Sequence, residues 1–385
     1  MNTDCVFFMP FHLRRSSSPL KHHRGNKCSY KLLFAIVGVG GLFQSRTVQS
    51  FVTSSTSAAH LTRTARSLSR RMSNANGASS TTQQSATLPA PHKLNDVLFE
   101  SIEDHQLTQK EQPFGRILDA GTGNHSLRWI GSLISRSSRA GNDGDDDGND
   151  RMDDGTDTGV TSFTAITADE TMRRNVVKEA ERLGIATCGE VVIGNWATTA
   201  DEPTTSTLCK DQVYDTILAD YLLGSVDGFA PFFQDRMFGR LKQHLKTDGT
   251  GRMYVVGLEP LPDSVGGPGD IIAKVRSVRD ACILLARHRC YREYPVTWIQ
   301  RNLKQHGFIV ETTTKFPIVY SHGTILRQIN VARSKLPLFD CRDTAASMGK
   351  QLDRLEEESK MVVEENGGRI TLGFDYIVAA RLPQD

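Results

Sequence analysis

An acidic residue and two glycines stand directly after a short apolar run. The run Gly115 to Asp119 predicts a buried strand, and Gly121 and Gly123 follow it. Glycine admits backbone angles that are closed to other residues, and it lets a ligand approach the main chain. The helix predicted behind this turn would present its free N–H groups at the same place. A carboxylate, an open turn and a helix start could together bind a small polar ligand.

Two familiar ligand types fit this turn poorly. No Lys-Ser or Lys-Thr pair follows the glycines, as a phosphate-binding loop would require. Ser126 stands where a dinucleotide-binding motif would have its third glycine. The turn by itself also fits a tight strand–helix junction that binds nothing. Its meaning therefore depends on the elements that follow it.

Four further apolar runs follow in order, each leading into a turn and most into a stretch of helical periodicity. This alternation is typical of a doubly wound α/β sheet, whose parallel strands end at one edge. Chemically capable side chains stand at the ends of these runs, so we expect them to meet at that edge. The runs cover 163–167, 190–193, 214–218 and 253–258, and the side chains are Asp169, Asn195, Trp196, Asp220, Tyr221 and Glu259. A single helix is predicted between the last two runs, over 229–245.

In this order the motifs resemble those of the class I, S-adenosylmethionine-dependent methyltransferases. The resemblance implies an α/β fold with a seven-stranded doubly wound sheet, whose last strands are predicted over 308–313 and 374–380. It implies S-adenosyl-L-methionine as the cofactor. It also implies that Asp119, Gly121 and Gly123 hold the methionine part of that cofactor.

The other site residues take their expected roles from the same resemblance. The family's acid for the ribose hydroxyls usually ends the second strand, where this chain has Thr167, so we assign that role to Asp169. Asn195 is expected to read the adenine edge, and Trp196 either stacks on the ring or fills core. Asp220 and Tyr221 are expected to face the transferred methyl group as catalytic residues, and Asp220 is also an expected cofactor ligand.

The stretch 260–295 is predicted to be a lid that covers the substrate. It combines a Gly- and Pro-rich loop with a helix predicted over 271–294, whose end is basic and aromatic. Cations are favourable at a helix C-terminus, which explains such residues without any function. If they do act on substrate, Arg289 and Arg292 would clamp an anionic acceptor. His288 is then a candidate catalytic base, and Glu259 faces the same rim as a substrate residue.

Other segments of the chain are predicted to lie outside the catalytic fold. Residues 1–50 resemble a signal peptide, with basic residues before a short apolar run, and 51–93 have transit-peptide composition. Together they resemble bipartite plastid presequences, with a mitochondrial presequence as the alternative. The methyltransferase domain is predicted over 94–385. Within it we expect an acidic disordered insertion over 141–158 and an inserted cover helix over 340–366, before the last strand.

Charge narrows the expected partners. The chain has a formal net charge of +2, but its first 93 residues hold twelve basic residues, which leaves the remainder near −9. A nucleic-acid partner is therefore not expected. The seven cysteines form no CxxC pair, so no metal site is predicted, and no membrane association is expected of the mature form.

Two functions from different classes remain open. The first is methyl transfer to a small molecule or a protein side chain in an organelle. The second is a catalytically silent methyltransferase fold that acts as an assembly or binding factor, because the acid after the second strand is displaced. The acceptor and the oligomeric state do not follow from the sequence.

Overall fold

A computed structural model describes residues 96–140, 157–197 and 208–384 of the chain. The predicted segments 1–50 and 51–93 lie outside the described residues, as does most of the predicted acidic insertion. One end of that insertion is described and corrects the prediction. Thr158, placed within the insertion, is fully buried and donates to the carbonyl oxygen of Leu133 at 2.7 Å. The folded domain therefore resumes at least one residue earlier than predicted.

Helices and strands alternate along the first part of the described chain, as the periodicity predicts. The strands are β1 Gly115–Asp119, β2 Val160–Thr167, β3 Gly189–Ile193, β4 Thr216–Asp220, β5 Arg252–Leu258, β6 Ile309–Tyr320 and β7 Ile370–Arg381. The helices are α1 Val97–Glu103, α2 Asn124–Ala140, α3 Glu170–Arg182, α4 Leu222–Phe229, α5 Gln234–Lys242, α6 Asp270–Leu285, α7 Val296–Gln305, α8 His322–Arg333 and α9 Arg342–Glu365.

All seven strands form one sheet in the order β3-β2-β1-β4-β5-β7-β6. The pairs among β1 to β5 are parallel, whereas β7 is antiparallel to both of its neighbours. The strand order reverses between β1 and β4, which is the switch point where open α/β sheets bind ligands. The predicted seven-stranded, doubly wound α/β sheet is confirmed.

The sheet is buried on both faces by apolar side chains of the flanking helices. Residues of α1, α2 and α3 pack on one face around Ile117 and Leu218. Residues of α4, α5 and α7 pack on the other face around Ile217 and Val255. Burial on both sides explains why the central strands are continuous apolar runs rather than alternating ones.

Three helices form a separate apolar cluster beside the sheet. Helices α6, α8 and α9 pack together through buried residues such as Ile272, Ile329 and Leu355. The predicted inserted helix over 340–366 is confirmed as α9. Helix α8 was not predicted, nor was the length of the β6–β7 hairpin, whose arms have 12 residues each. Helix α6, from the segment predicted to be a lid, thus packs against α8 and α9, which lie between the last two strands.

Two other predicted boundaries were wrong. The helix predicted over 229–245 is shorter: α4 ends at Phe229 and α5 extends only from Gln234 to Lys242, because Pro231 cannot donate to a helical hydrogen bond and restricts the residue before it. The helix predicted over 271–294 ends at Leu285, and Arg287 then adopts the left-handed conformation with φ of 60°. The basic and aromatic residues after Leu285 therefore lie in an irregular segment, 286–295, which we call the cover segment.

The described helices also bear on membrane association. None of them combines the length and the apolar character needed to cross a bilayer.

Candidate active site

The turn after β1 is fixed by both neighbouring strands. The Ala120 N–H donates to Leu218 in β4 at 2.9 Å, and the Thr122 N–H donates to Ile166 in β2 at 2.8 Å. Gly121 has no room for a side chain, because an added Cβ would lie 2.7 Å from Cδ1 of Leu222. The Gly123 N–H donates to Ser126 Oγ at 3.2 Å, in the first turn of α2. The glycine turn is therefore held rigidly at the switch point of the sheet.

Asp119 and Asp220 end two adjacent parallel strands and point to the same face of the sheet. Asp119 pairs with Leu218, two residues before Asp220, and side chains at that spacing share a face. Asp119 is fully buried, and neither of its carboxylate oxygens accepts a well-formed hydrogen bond from the described residues, although Ser126, Thr122 and the Gly121 N–H lie close enough to act on it. Asp220 is only 3% exposed. A buried carboxylate without a partner is costly, so this edge is suited to a cationic or hydrogen-bond-donating ligand.

The electrostatics of this carboxylate pair follow from its burial. Burial raises the pKa of Asp119 to about 6, although Ser126, Thr122 and the Gly121 N–H favour its charged form. Burial also raises the pKa of Asp220 to about 7, and the negative charge of Asp119 adds to that rise. Like charges that face each other in a dry site disfavour ionisation of both groups. A positive ligand would relieve this repulsion.

His125 is a functional candidate that sequence reasoning missed. It lies in the first turn of α2, and its Nε2 is 2.9 Å from Oδ2 of Asp96, the residue that caps α1. Burial alone would lower the pKa of His125, but the hydrogen bond to Asp96 and the charges of Asp96 and Asp220 raise it. The charge of His125 in turn lowers the pKa of Asp220. A lone histidine carries no motif, and only the fold brings Asp96 to it.

Tyr221 connects the end of β4 to β7. Its backbone is left-handed, with φ of 46°, a conformation that non-glycine residues seldom adopt and that often marks functional turns. Its side chain hydrogen-bonds to Asp375 in β7. Burial raises the pKa of Asp375 to about 6, against the effect of that hydrogen bond. Sequence reasoning did not identify Asp375, because nothing in the pattern of a closing strand distinguishes it.

The predicted ribose ligand, Asp169, lies just beyond the end of β2. One of its oxygens accepts from the Met172 N–H at 2.9 Å, so it caps α3. Its charge also raises the pKa of Tyr291, in addition to the larger effect of burial. Tyr291 belongs to the cover segment and contacts Gly228 in α4, where an added Cβ would lie 3.1 Å from its ring. Asp169 and Tyr291 are therefore neighbours at the edge of the sheet.

The two residues predicted to face the adenine take different positions. Trp196 is 4% exposed, and its Nε1 donates to the carbonyl oxygen of Ala120 at 2.7 Å. Its burial and this hydrogen bond fit the core-packing role, behind the glycine turn, and the stacking role stays a prediction. Asn195 donates from Nδ2 to the carbonyl oxygen of Phe229 at 3.0 Å and accepts from the Ala197 N–H at 3.0 Å. Its adenine role remains a prediction.

The cover segment lies against the helix that follows β4. Arg289 donates from Nε to the Asp227 carbonyl oxygen at 3.1 Å, and its Nη2 lies 3.4 Å from Asp227 Oδ2. The Arg292 N–H is 3.4 Å from the Gly224 carbonyl oxygen, and the Arg292 side chain is exposed. The structure thus gives Arg289 a positioning role. A substrate clamp made by either arginine stays a prediction.

His288 and Glu259 make contacts of other kinds. Nδ1 of His288 lies 3.3 Å from Lys335 Nζ, and burial together with that cation lowers the pKa of His288. Glu259, at the end of β5, accepts from the Val296 N–H at 2.9 Å and so caps the start of α7. The catalytic and substrate roles predicted for these two residues are not tested by these contacts.

The donor set of this edge does not suggest a metal. In the described ranges, no group of three or more His, Cys, Asp and Glu side chains is arranged so that it could hold a metal ion.

Similar solved structures share the general architecture. The YcgJ protein from Bacillus subtilis has a TM-score of 0.42 and 15% identity, over 72% of this chain and 96% of that one. A SAM-dependent methyltransferase from Thiobacillus denitrificans, in complex with S-adenosyl-L-homocysteine, has a TM-score of 0.37 and 12% identity, over 76% and 92%. The [4+2]-cyclase SpnF has a TM-score of 0.37 and 14% identity, over 75% and 81%. No protein-family model and no curated protein matches the sequence.

The topology of the sheet identifies the fold. The sheet has the order β3-β2-β1-β4-β5-β7-β6 with an antiparallel β7, and the Asp119 turn lies at its switch point. The chain has the fold of the class I methyltransferases. In this methyltransferase fold the predicted residues Asp119, Gly121, Asp220 and Tyr221 lie at one edge.

The buried carboxylate pair makes the stability of the methyltransferase fold depend on pH. An aspartate with an ordinary pKa of 3.8 that titrates near 7 when folded binds its proton more tightly in the folded state. Between those two values, raising the pH therefore lowers the free energy of unfolding. We expect Asp220→Asn to be more stable than the natural protein at pH 8 and to lose that advantage toward pH 4. The difference should be on the order of 4 kcal/mol, since the pKa rises from 3.8 to about 7 and one pKa unit is about 1.4 kcal/mol.

Urea unfolding of the unliganded protein across this pH range measures the effect. Other groups also make the stability depend on pH, such as Glu179, whose pKa is lowered to about 2 by Arg182 and Arg128. They are present in both proteins, so their contributions cancel when Asp220→Asn is compared with the natural protein. The exposed Asp211→Asn serves as the matched control and should show no pH-dependent difference. If the free energies of unfolding of Asp220→Asn and the natural protein differ by the same amount at every pH, folding does not raise the pKa of Asp220.

Proposed function

We propose that the protein binds S-adenosyl-L-methionine at the edge formed by β1 and β4 and transfers its methyl group to an acceptor. One observation supports the cofactor: Asp119 is fully buried beside the Gly121 turn, and neither of its oxygens accepts a well-formed hydrogen bond from the described residues. The cofactor has an ammonium group that can donate to such a carboxylate, and a sulfonium whose methyl is activated for transfer. The residues at this edge fit the group.

The chain's own residues would share the work of binding and positioning. Asp119 would accept hydrogen bonds from the ammonium, and the Gly121 and Gly123 turn would leave its main chain open to close approach. Asp169 and Asn195 are proposed as ribose and adenine ligands at the ends of β2 and β3. Asp220 and Tyr221 would line the acceptor side of the reacting methyl, where in-line positioning is the main requirement.

The cover segment would exclude water from this edge. Its contacts with Gly224, Asp227 and Gly228 hold it against α4, directly after the strand that carries Asp220. Excluding water strengthens every electrostatic interaction inside a site. Of the two predicted clamps, Arg292 has an exposed side chain and remains available, whereas Arg289 is engaged by Asp227.

A catalytically silent binding factor is the second candidate. The observation that favours it is the hydrogen bond from Asn195 Nδ2 to the Phe229 carbonyl oxygen, which engages the proposed adenine ligand. Thr167, where the family usually has its ribose acid, is 2% exposed and bonded to the backbone. With Thr167 in place of the ribose acid and Asn195 engaged by the backbone, the protein could keep the fold without catalysing methyl transfer.

The setting of the protein is also a proposal. We infer a plastid location from the composition of 1–50 and 51–93, with the mitochondrion as the alternative. A small-molecule or protein acceptor is proposed as the partner, and the acidic remainder of the chain argues against nucleic acid. No membrane association is proposed for the mature form.

Calorimetric titration of the full-length protein with S-adenosyl-L-homocysteine tests the proposal first. We expect saturable binding at one site, followed by labelled methyl transfer from S-adenosyl-L-methionine to a fraction of an organelle metabolite or protein extract. Absence of a binding signal would exclude the enzyme. Binding without transfer to any fraction would favour the silent binding factor.

A further inference from the structure

A second group of acids lies next to the proposed cofactor edge, around the middle of β7. Asp375 pairs with Leu258, the last residue of β5, and it hydrogen-bonds to Tyr221. Glu293, in the cover segment, comes close to α4, where a Cβ on Gly224 would lie 3.2 Å from its Oε2. The charge of Asp375 also acts on Glu293. Asp375 thus lies beside Tyr221, and Glu293 lies against α4, the helix that begins directly after Tyr221.

These acids are kept in an environment that does not favour their charge. Burial raises the pKa of Glu293 to about 7, and the charges of Asp375 and Asp280 add to the rise. Arg279 and Arg276 oppose it, but Arg279 donates to Asp280 and Gln328, and Arg276 to Leu261 and Asp263. Among the described residues none donates a hydrogen bond to the Glu293 side chain. The acid has two nearby cations but no direct partner.

Asp220 provides an independent indication that a ligand belongs here. It is 3% exposed, and its carboxylate accepts no hydrogen bond from the part of the chain that the structure describes. Its charge interacts with Asp119, on the cofactor side, and with Asp375. An unpartnered buried carboxylate that interacts with both groups marks the place where cofactor and acceptor would meet.

We propose that the methyl acceptor is an amine, held by Asp375 and Glu293 beside Asp220. The inference rests on the proposed function and names its substrate class. An ammonium donor would give Glu293 and Asp220 a hydrogen-bond partner and Asp375 a second one besides Tyr221, and its charge would relieve the mutual repulsion of these acids. An anionic acceptor would add negative charge to the same buried cluster. This proposal differs from the anionic acceptor that is expected if the basic residues of the cover segment act on substrate, and of these residues Arg289 is paired with Asp227.

The chemistry of the step balances with these residues. The ammonium gives one proton to a carboxylate of the cluster, which frees the nitrogen lone pair. The lone pair forms a bond to the methyl carbon, and the carbon–sulfur bond breaks with its electron pair retained by sulfur. The products are a methylated ammonium and a neutral thioether. Asp375 and Glu293, with pKa values raised to about 6 and about 7, are suited to accept that proton at neutral pH.

A panel of labelled methyl-transfer assays with the full-length protein tests the substrate class. Primary and secondary alkyl and aryl amines are compared with alcohols and carboxylic acids of matched carbon skeleton, each with labelled S-adenosyl-L-methionine. We expect transfer to members of the amine set only. Asp375→Asn and Glu293→Gln should each lower amine turnover by about tenfold to a hundredfold, the loss expected for one charge-assisted hydrogen bond. Their affinity for S-adenosyl-L-homocysteine should stay within about twofold.

Glu357→Gln is the matched control, because Glu357 is exposed on α9 and should change neither quantity. Transfer to an alcohol or a carboxylic acid, or to no member of the panel, would overturn the amine inference while binding of S-adenosyl-L-homocysteine still supported the cofactor site. Loss of that binding in the natural protein would instead overturn the proposed function. The panel with unaltered protein decides the class even if a variant fails to fold.

Discussion

Asp119→Asn is expected to weaken binding of S-adenosyl-L-homocysteine by about tenfold to a hundredfold, while the unliganded protein becomes no less stable. Asp119 is fully buried, and neither of its oxygens accepts a well-formed hydrogen bond in the described ranges. Replacing a buried charge by a neutral amide of similar shape removes a desolvation cost. The ligand, however, loses the carboxylate to which its ammonium donates. Calorimetry and urea unfolding at pH 8 measure the two effects.

The opposite signs separate a ligand-binding residue from a structural one. Loss of stability together with affinity would identify Asp119 as part of the folded framework. Unchanged affinity would show that the cofactor does not bind at the end of β1. Asp211→Asn is the control, since Asp211 is exposed and its left-handed backbone, with φ of 60°, suits asparagine equally well.

Trp196→Ala is expected to lower the free energy of unfolding by about 3–5 kcal/mol, the usual loss for a large buried aromatic side chain. The ring is 4% exposed, packs in the core cluster on the α4 face of the sheet, and donates to the Ala120 carbonyl oxygen. Trp196→Phe keeps most of the packing and removes the donor, so it should lose about 1–3 kcal/mol. Denaturant unfolding of both variants measures these losses.

The comparison also decides between the two roles first considered for Trp196. If the Trp196 ring stacks on the adenine instead of packing in the core, its removal should weaken ligand binding and change the free energy of unfolding little. Trp298→Ala provides a second reference, because Trp298 is only partly buried and packs on Tyr294 with ring centroids 4.5 Å apart. Its loss should destabilise the protein less than that of Trp196.

Strand positions and their order could be predicted from the sequence alone. The strand Gly115–Asp119 has the predicted bounds, because the apolar run ends at an acid that is followed directly by a glycine turn. β4 was predicted from Tyr214 to Leu218, but it begins at Thr216 and ends at Asp220. Tyr214 forms only an isolated bridge with Leu245. An apolar run with polar residues at both ends does not show which end pairs, since pairing depends on the neighbouring strand.

Contacts between side chains that are far apart in sequence could not be predicted. His125 became a candidate only when Asp96 was found at 2.9 Å, and Asp375 only through Tyr221 and Glu293. Each is a common residue in an ordinary helix or strand. The same holds for the cover segment, whose basic residues suggested an anionic ligand until Arg289 was found paired with Asp227.

The sequence by itself determined the Asp119, Gly121 and Gly123 turn, the strands around it and the seven-stranded sheet, because periodicity and glycine positions are local properties of the chain. Only the tertiary structure decided which acids are buried together and which cations are already paired. Burial and pairing depend on residues that are far apart in sequence, and they set the pKa of each carboxylate. The site's preference for a positive ligand is therefore a property of the fold, although the site's location could be read from the sequence.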